Sequence, residues 1–365
     1  MKPGSHFIPY GHQIIDKDDI AAVCSALCSD YLTTGPVIDR FEKAICTYTG
    51  TRYGVAVSSG TAALHCAMYA LDIGRNDEVI VPSMTFVATA NCVCFSGATP
   101  VLADVESDTL LIDPEKVEAL INSKTKAIIG VDYAGQPCDW DRLRHIADKY
   151  GLALVADSCH AIGAEYKGRK VGTLADMTVF SFHPVKHITT GEGGMIVTDN
   201  KEYAQKMYLF RNHGITRHSE MVGLGYNYRI TDIQCALGIS QLEKLSEWIK
   251  RRQEIALSYD HFFVENKIAE PLKVKQEVQH VYHLYVVRVA DKENILLKLK
   301  SDGIGVNVHY MPVHLHQFYK QKFGYKKGFC PVAEDAYKNI ISLPLWPGMQ
   351  ENDILHIQNC LNNLN

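Results

Sequence analysis

The stretch Thr178-Val-Phe-Ser-Phe-His-Pro-Val-Lys186-His-Ile-Thr-Thr-Gly-Glu-Gly-Gly194 joins a β-branched and aromatic run to a lysine and then to a glycine-rich turn. The run reads as a buried strand, Thr178 to Phe182, and the lysine lies just past its carboxyl end. Upstream, Leu152-Ala-Leu-Val-Ala156 is a second such run, closed by Asp157. Open α/β sheets carry their ligand groups at the carboxyl ends of the strands, so both charged residues stand where chemistry is done in that architecture. Working outward, Val79-Ile-Val81 and Ala127-Ile-Ile129 are further strand candidates. They alternate with helix candidates at Thr61 to Ala70, Pro114 to Ile121 and Trp140 to Tyr150. This alternation predicts an α/β fold with a mostly parallel, doubly wound sheet. From Asp232 to about Phe263, Ile233, Leu237, Leu242, Leu245 and Ile249 recur at helical spacing and predict one long helix. Beyond it, Tyr282 to Val289 and Ile304 to His309 read as strands and Asp353 to Leu361 as a closing helix, which makes a smaller α+β region.

A chain of 365 residues exceeds one ordinary core. We divide it into a large domain, 1–245, which includes the N-terminal segment, and a small C-terminal α+β domain, 246–365. The balance of 37 basic against 41 acidic residues, with no basic block, argues against nucleic acid as a partner. No apolar run is long enough to span a bilayer and the first 30 residues lack a signal-peptide core, so the expectation is a cytoplasmic protein without a membrane partner. The 11 cysteines are scattered without a C-x-x-C pair and read as small buried hydrophobes. Neither Cys24/Cys28 nor Cys92/Cys94 completes a zinc site, and the histidines of His309-Tyr-Met-Pro-Val-His314-Leu-His316 are irregularly spaced, so no metal is expected.

Three motifs carry chemistry. Val55-Ala-Val-Ser-Ser-Gly-Thr61-Ala-Ala-Leu64 reads as strand, tight turn and helix. Free N–H groups at such a helix start, with the hydroxyls of Ser59 and Thr61, make a phosphate cradle, although a simple capped helix has the same look. Lys186 beside a glycine turn can be a nucleophile once partial burial favours its neutral amine; in solvent it is an ordinary loop lysine. Asp157 can hold a protonated ring nitrogen, or cap a helix, or pair with a cation. A Schiff-base lysine and an aspartate for a pyridinium nitrogen are what a protein supplies to pyridoxal 5′-phosphate (PLP) chemistry, and the phosphate turn completes that reading. Phe86, in Pro82-Ser-Met-Thr-Phe-Val-Ala-Thr-Ala-Asn91, can stack on a flat ring or belong to the core.

Taken together these motifs resemble the DegT/DnrJ/EryC1/StrS family of PLP-dependent nucleotide-sugar aminotransferases, of fold type I, from about Ile8 to the last helix. Besides the segments above, Tyr31-Leu-Thr-Thr-Gly-Pro36 is similar to the family's N-terminal substrate segment. Gly225-Tyr-Asn-Tyr-Arg-Ile-Thr-Asp232 is similar to the motif that reaches into a neighbouring subunit. The resemblance implies Lys186 as the cofactor lysine and acid/base, and Asp157 on the pyridine nitrogen. It implies Ser59, Gly60, Thr61 and Ser181 on the phosphate, with Asn227 from the partner chain, Phe86 on the ring and His160 beside it. Tyr31, Thr33, Arg229, His309 and Tyr310 are the implied substrate residues, though Arg229 and His309 could equally be interface ion pairs. A shared site of this kind implies a homodimer.

Within the family, Ser181 to Gly194 and Val308-His-Tyr-Met-Pro-Val-His314 are most similar to the branch that works in pseudaminic acid synthesis. That similarity implies transamination of a UDP-linked 4-keto-6-deoxy-N-acetyl hexose at C4 with L-glutamate as donor. A GDP- or dTDP-linked keto sugar, or a 3-keto isomer, is the other reading. A dehydratase branch carries histidine in place of the lysine; here the lysine is kept and histidine stands only at the next position, His187, which implies transamination.

Overall fold

A computed structural model describes residues 7–216 and 218–363. Among these the central sheet has seven strands: β1 (Tyr53–Val57), β2 (Glu78–Pro82), β3 (Thr99–Ala103), β4 (Thr125–Val131), β5 (Ala153–Asp157), β6 (Met177–Ser181) and β7 (Gly194–Thr198). Their order is β1-β7-β6-β5-β4-β2-β3. Most of their residues are buried without the in–out alternation of a one-sided sheet, because helices cover both faces. Strands β3, β2, β4, β5 and β6 pair in parallel, whereas β7 is antiparallel to both β6 and β1. Two antiparallel steps restore direction, so β1 ends on the same edge of the sheet as β5 and β6. That edge therefore carries Ser58 after β1, Asp157 at the end of β5 and Ser181 at the end of β6.

The helices form where local chemistry starts and stops them. α1 (Lys17–Leu27) begins with a reciprocal Asp16/Asp19 capping box. α2 (Pro36–Thr49) has proline in its first turn and ends at Gly50 with φ of 82°. α3 (Gly60–Ala70) follows the turn after β1 and is capped by the Ser59 hydroxyl, which accepts from the Ala62 N–H at 3.1 Å. α4 (Ala88–Phe95) follows the short loop of residues 83–87 that leaves β2.

The predicted long helix runs over Asp232–Asn266, 35 residues, opened by a Thr231/Gln234 capping box. The boundary expected at 245 falls inside it. Leu245 and Ile249 belong to the main hydrophobic core, whereas Ile255, Tyr259, Phe262 and Phe263 belong to a second core. The second core packs on a three-stranded antiparallel sheet of Glu270–Pro271, Tyr285–Arg288 and Ile340–Leu343. Ile8 joins this core too: its N–H donates to Gly303 and its carbonyl accepts from Gly305. The strand expected over 304–309 is reduced to isolated bridges, Ile8 with Ile304 and Asn307 with Ser342. The reason is local, since the Val308 N–H donates to the Asn307 side chain at 2.8 Å instead of to a ladder. No helix among the described residues is long and apolar enough to cross a membrane, and none of the cysteines is paired in a disulfide.

Candidate active site

The sheet edge that carries Ser58, Asp157 and Ser181 opens into a cleft of ≈720 Å³, within the usual size range of small-molecule sites. Asp157 is only 6% exposed. Its carboxylate is fixed by the Thr89 hydroxyl at 2.7 Å and, more loosely, by the Cys159 N–H at 3.3 Å. The Thr85 hydroxyl lies 2.8 Å from that of Thr89 and extends the chain of hydrogen bonds. A carboxylate held in this way by neutral donors has no cation of its own paired to it in the hydrogen bonds described, and it is set up to receive one.

Lys186 sits in the loop between β6 and β7. The loop is clasped at Phe182, whose carbonyl accepts from Thr190 N–H at 3.0 Å and from the Thr189 hydroxyl at 3.0 Å, while its own N–H donates to Gly193 at 2.9 Å. The Lys186 N–H donates to His183. Burial pushes the Lys186 ammonium below the ordinary lysine value, against a smaller opposing pull from Cys159 and Asp157. The neutral amine is thus more accessible than on a surface lysine.

At the first turn of α3, Ser59 caps the helix and the N–H groups of Gly60 and Thr61 have no intrahelical acceptor. Close packing is built in here. A Cβ on Gly194 would meet the Ser59 carbonyl oxygen at 2.4 Å, and one on Gly60 would meet Ser181 Cβ at 3.0 Å. Backbone donors at a helix N-terminus beside the hydroxyls of Ser59, Thr61 and Ser181 form an anion cradle.

Part of the lining is aromatic. His160 Nε2 lies 3.1 Å from the Tyr310 hydroxyl, and its ring is 4.3 Å from that of His283. Burial holds His160 and His283 well below the ordinary histidine value, and His309 is lowered to about 4 for the same reason. All three are therefore neutral at pH 7. His309 is anchored by a 2.8 Å hydrogen bond between its Nδ1 and the Ser342 hydroxyl, and the Tyr133 hydroxyl donates to its carbonyl. Tyr10 packs its ring 5.4 Å from His309. Farther along the same stretch, His314 is instead tied to Glu334 at 2.8 Å.

Of the sequence-predicted residues, Lys186, Asp157, Ser59, Gly60, Thr61, Phe86, His160, Ser181, His309 and Tyr310 line this one cleft. Phe86 is 55% exposed on its wall, so it is not core. Tyr31, Thr33, Asn227 and Arg229 do not line it. Tyr31 is exposed, Thr33 bridges to Thr231, Asn227 bridges to Asn212, and Arg229 donates to the Asn212 side chain at 2.7 Å. Sequence reasoning missed Tyr10, Thr89, Glu192, His283 and Asn307, all part of the cleft. Thr89 and Glu192 lay within stretches already singled out, Thr89 at a four-residue spacing from Thr85 and Glu192 inside the glycine-rich turn.

This donor set fits PLP: an amine of depressed pKa for its aldehyde, a fixed carboxylate for its ring nitrogen, an anion cradle for its phosphate and an aromatic for its ring. The comparisons agree. The sequence model of the DegT/DnrJ/EryC1/StrS aminotransferase family matches residues 13–362. The spore coat polysaccharide biosynthesis protein SpsC of Bacillus subtilis is 39% identical, with 96% of this chain and 95% of that protein covered. Among solved structures, Helicobacter pylori PseC, an aminotransferase involved in the biosynthesis of pseudoaminic acid, superposes with a TM-score of 0.94 at 36% identity over 98% of this chain and 99% of its own. A Streptococcus pneumoniae protein described as a sugar aminotransferase, in its PLP form, gives a TM-score of 0.95 at 33% identity over 98% of both chains.

Proposed function

The chain belongs to the DegT/DnrJ/EryC1/StrS aminotransferase family, and from that premise we propose that it is a PLP-dependent sugar aminotransferase. Its substrate is a UDP-linked 4-keto-6-deoxy-N-acetyl hexose and its donor L-glutamate. The product is UDP-4-amino-4,6-dideoxy-N-acetyl-β-L-altrosamine, for pseudaminic acid synthesis. The observation that carries the chemistry is the meeting of Lys186, Asp157 and the Ser59–Thr61 turn in one cleft. The substrate reading is supported by the likeness to PseC, and by His309 and Tyr310, which line the same cleft as Lys186.

Bound PLP supplies an electron sink for the electrons of a broken C–H bond. The rest is done by the chain. Ser59, Gly60, Thr61 and Ser181 bind the phosphate and fix the depth of the cofactor. Asp157 keeps a proton on the ring nitrogen. Lys186 Nζ takes the proton from the donor's α-carbon and, in the second half of the cycle, delivers one to C4 of the sugar. His160, neutral and hydrogen-bonded to Tyr310, borders the reacting centre without adding charge.

A second copy of the chain completes the site with Asn227 and Arg229, giving a homodimer with shared active sites. Support comes from the exposed apolar side chains of the same segment, Met221, Val222 and Leu224 at 64, 56 and 67% exposure, which a partner would cover. Unpaired thiols throughout suit the cytoplasm.

The test is the visible spectrum of the protein with PLP before and after L-glutamate, followed by product analysis on a panel of UDP-, GDP- and dTDP-linked 3- and 4-keto sugars. Bleaching by glutamate and a 4-amino product from the UDP sugar alone are expected. Preference for another nucleotide or ring position would overturn the substrate assignment, and a product that loses a hydroxyl without gaining an amine would overturn transamination.

A further inference from the structure

Next to the cleft, α3 carries a side chain that the reaction does not use. His65 is only 6% exposed and is ringed by Phe95, Phe210, Tyr226 and Tyr228, with ring centroids 5.3, 5.0, 5.2 and 5.9 Å away. Its Nδ1 lies 3.1 Å from the Tyr228 hydroxyl. The rings of Tyr226 and Tyr228 stack on each other at 5.1 Å with only 11° between their planes, so both point to the same side of the chain. The residues between and beyond them, Asn227 and Arg229, are thereby turned to the other side. Backbone bonds fix the same segment: Tyr226 N–H to Phe210, Tyr228 N–H to Arg211, and Ser58 N–H to the Tyr228 carbonyl at 2.9 Å. The last of these ties the segment to the phosphate turn of its own cleft, which neither Asn227 nor Arg229 lines.

We propose that His65 is a positioning residue that acts in trans: through its bond to Tyr228 it sets how Asn227 and Arg229 are presented to the cofactor cleft of the neighbouring subunit. This rests on the shared-site dimer proposed above. The four rings around His65 leave the Tyr228 hydroxyl as its described polar contact, so the imidazole fixes the tyrosine's rotation while the rings fix its depth.

The experiment uses His65→Phe, which keeps a ring in the cage and deletes the hydrogen bond. In the variant homodimer, PLP affinity should fall roughly three- to tenfold, the range of one net hydrogen bond. The variant is then co-expressed with Lys186→Ala chains under distinct tags, and mixed dimers are isolated by sequential capture. There the visible absorbance of lysine-linked PLP comes only from the His65→Phe subunit's cleft, which receives its Asn227 and Arg229 from the Lys186→Ala neighbour. Wild-type affinity in the mixed dimer is expected. Affinity as weak as in the variant homodimer would place the effect within one subunit and overturn the inference while leaving the dimer intact. An unchanged affinity in the variant homodimer would overturn it as well. Sedimentation of the wild-type protein as a monomer would remove the shared-site reading itself, and the inference with it. If His65→Phe does not fold, Tyr228→Phe deletes the same bond from the other side and takes the same test.

Discussion

Replacing Thr89 with valine tests how the site holds its charge. The hydroxyl is the shortest donor to Asp157, at 2.7 Å, and without it the carboxylate keeps only the Cys159 N–H at 3.3 Å. Valine fills nearly the same space in the buried position, so the change is largely one of hydrogen bonding. A hydrogen bond to a charged group contributes about 1.5–3 kcal/mol, and about 1.4 kcal/mol is a factor of ten. If Asp157 acts by keeping a proton on the cofactor ring, the first half-reaction should slow by roughly ten- to a hundredfold. Thr89→Ser, which keeps the hydroxyl, should stay within a few-fold of wild type. Thr85→Val, one neutral bond farther away at 2.8 Å, should have a smaller effect than Thr89→Val. Asp157→Asn should lie below all of these, by several orders of magnitude. The assay is rapid mixing of PLP-loaded protein with L-glutamate, followed in the visible range, with thermal denaturation as the control for folding. A Thr89→Val protein that melts normally and reacts at the wild-type rate would refute the role given to Asp157.

Gly194→Ala should weaken PLP binding, because the new methyl meets the Ser59 carbonyl at 2.4 Å and the Gly60 nitrogen at 2.8 Å. Overpacking of about 1–3 kcal/mol converts to roughly five- to a hundredfold in the dissociation constant, read by titration with PLP. Since burial lowers the Lys186 ammonium below 10.5, capture of PLP by the cofactor-free protein should fall as pH drops through that lowered value and level off before pH 10.5 is reached; a plateau only above 10.5 would contradict the burial argument. Asp132 is pushed up to about 7 by burial, although Ser158, Cys138 and Trp140 all donate to it. Its folded value is raised, so its contribution to stability is present below about pH 3.8 and is lost as pH rises through about 7. Asp132→Asn can keep the same contacts, with Ser158 reversing its hydroxyl, and chemical denaturation across pH should show that part of the slope flattened.

The large core and the chemistry at its edge were legible because local signals agreed there. Ala153–Asp157 and Met177–Ser181 lie within a residue of the runs read from sequence, and Trp140–Tyr150 is a helix with the expected ends. Lys186 and Asp157 were legible because each follows an apolar run, and strand ends have chemical meaning in this architecture. Tyr10, His283 and Asn307 were not, because they come from three separated parts of the chain, and no local pattern tells an aromatic or amide that will face a cleft from one that will pack. The strand expected over 304–309 failed where a side chain, Asn307, took the backbone donor that a ladder needs. Thr33 and Arg229 do not line the cleft; Thr33 bridges to Thr231 and Arg229 donates to Asn212 instead, and nothing in the local sequence announces those partners.

The helix Asp232–Asn266 gives its first half to one core and its second half to the other, with no proline and with glycine only at Gly238, near its start. A rod seated at both ends leaves no pivot between them. The small core cannot swing as a lid without bending a continuous ladder of hydrogen bonds, so a bulky substrate should enter past loops and not through a closing jaw. The same rod makes the two cores one cooperative block: a fragment ending at 245 would cut the helix mid-turn and bare its apolar stripe. Whole-chain unfolding should therefore show one transition, and substitutions that loosen the second core, such as Tyr259→Ala, should lower the melting temperature of the cofactor cleft with it.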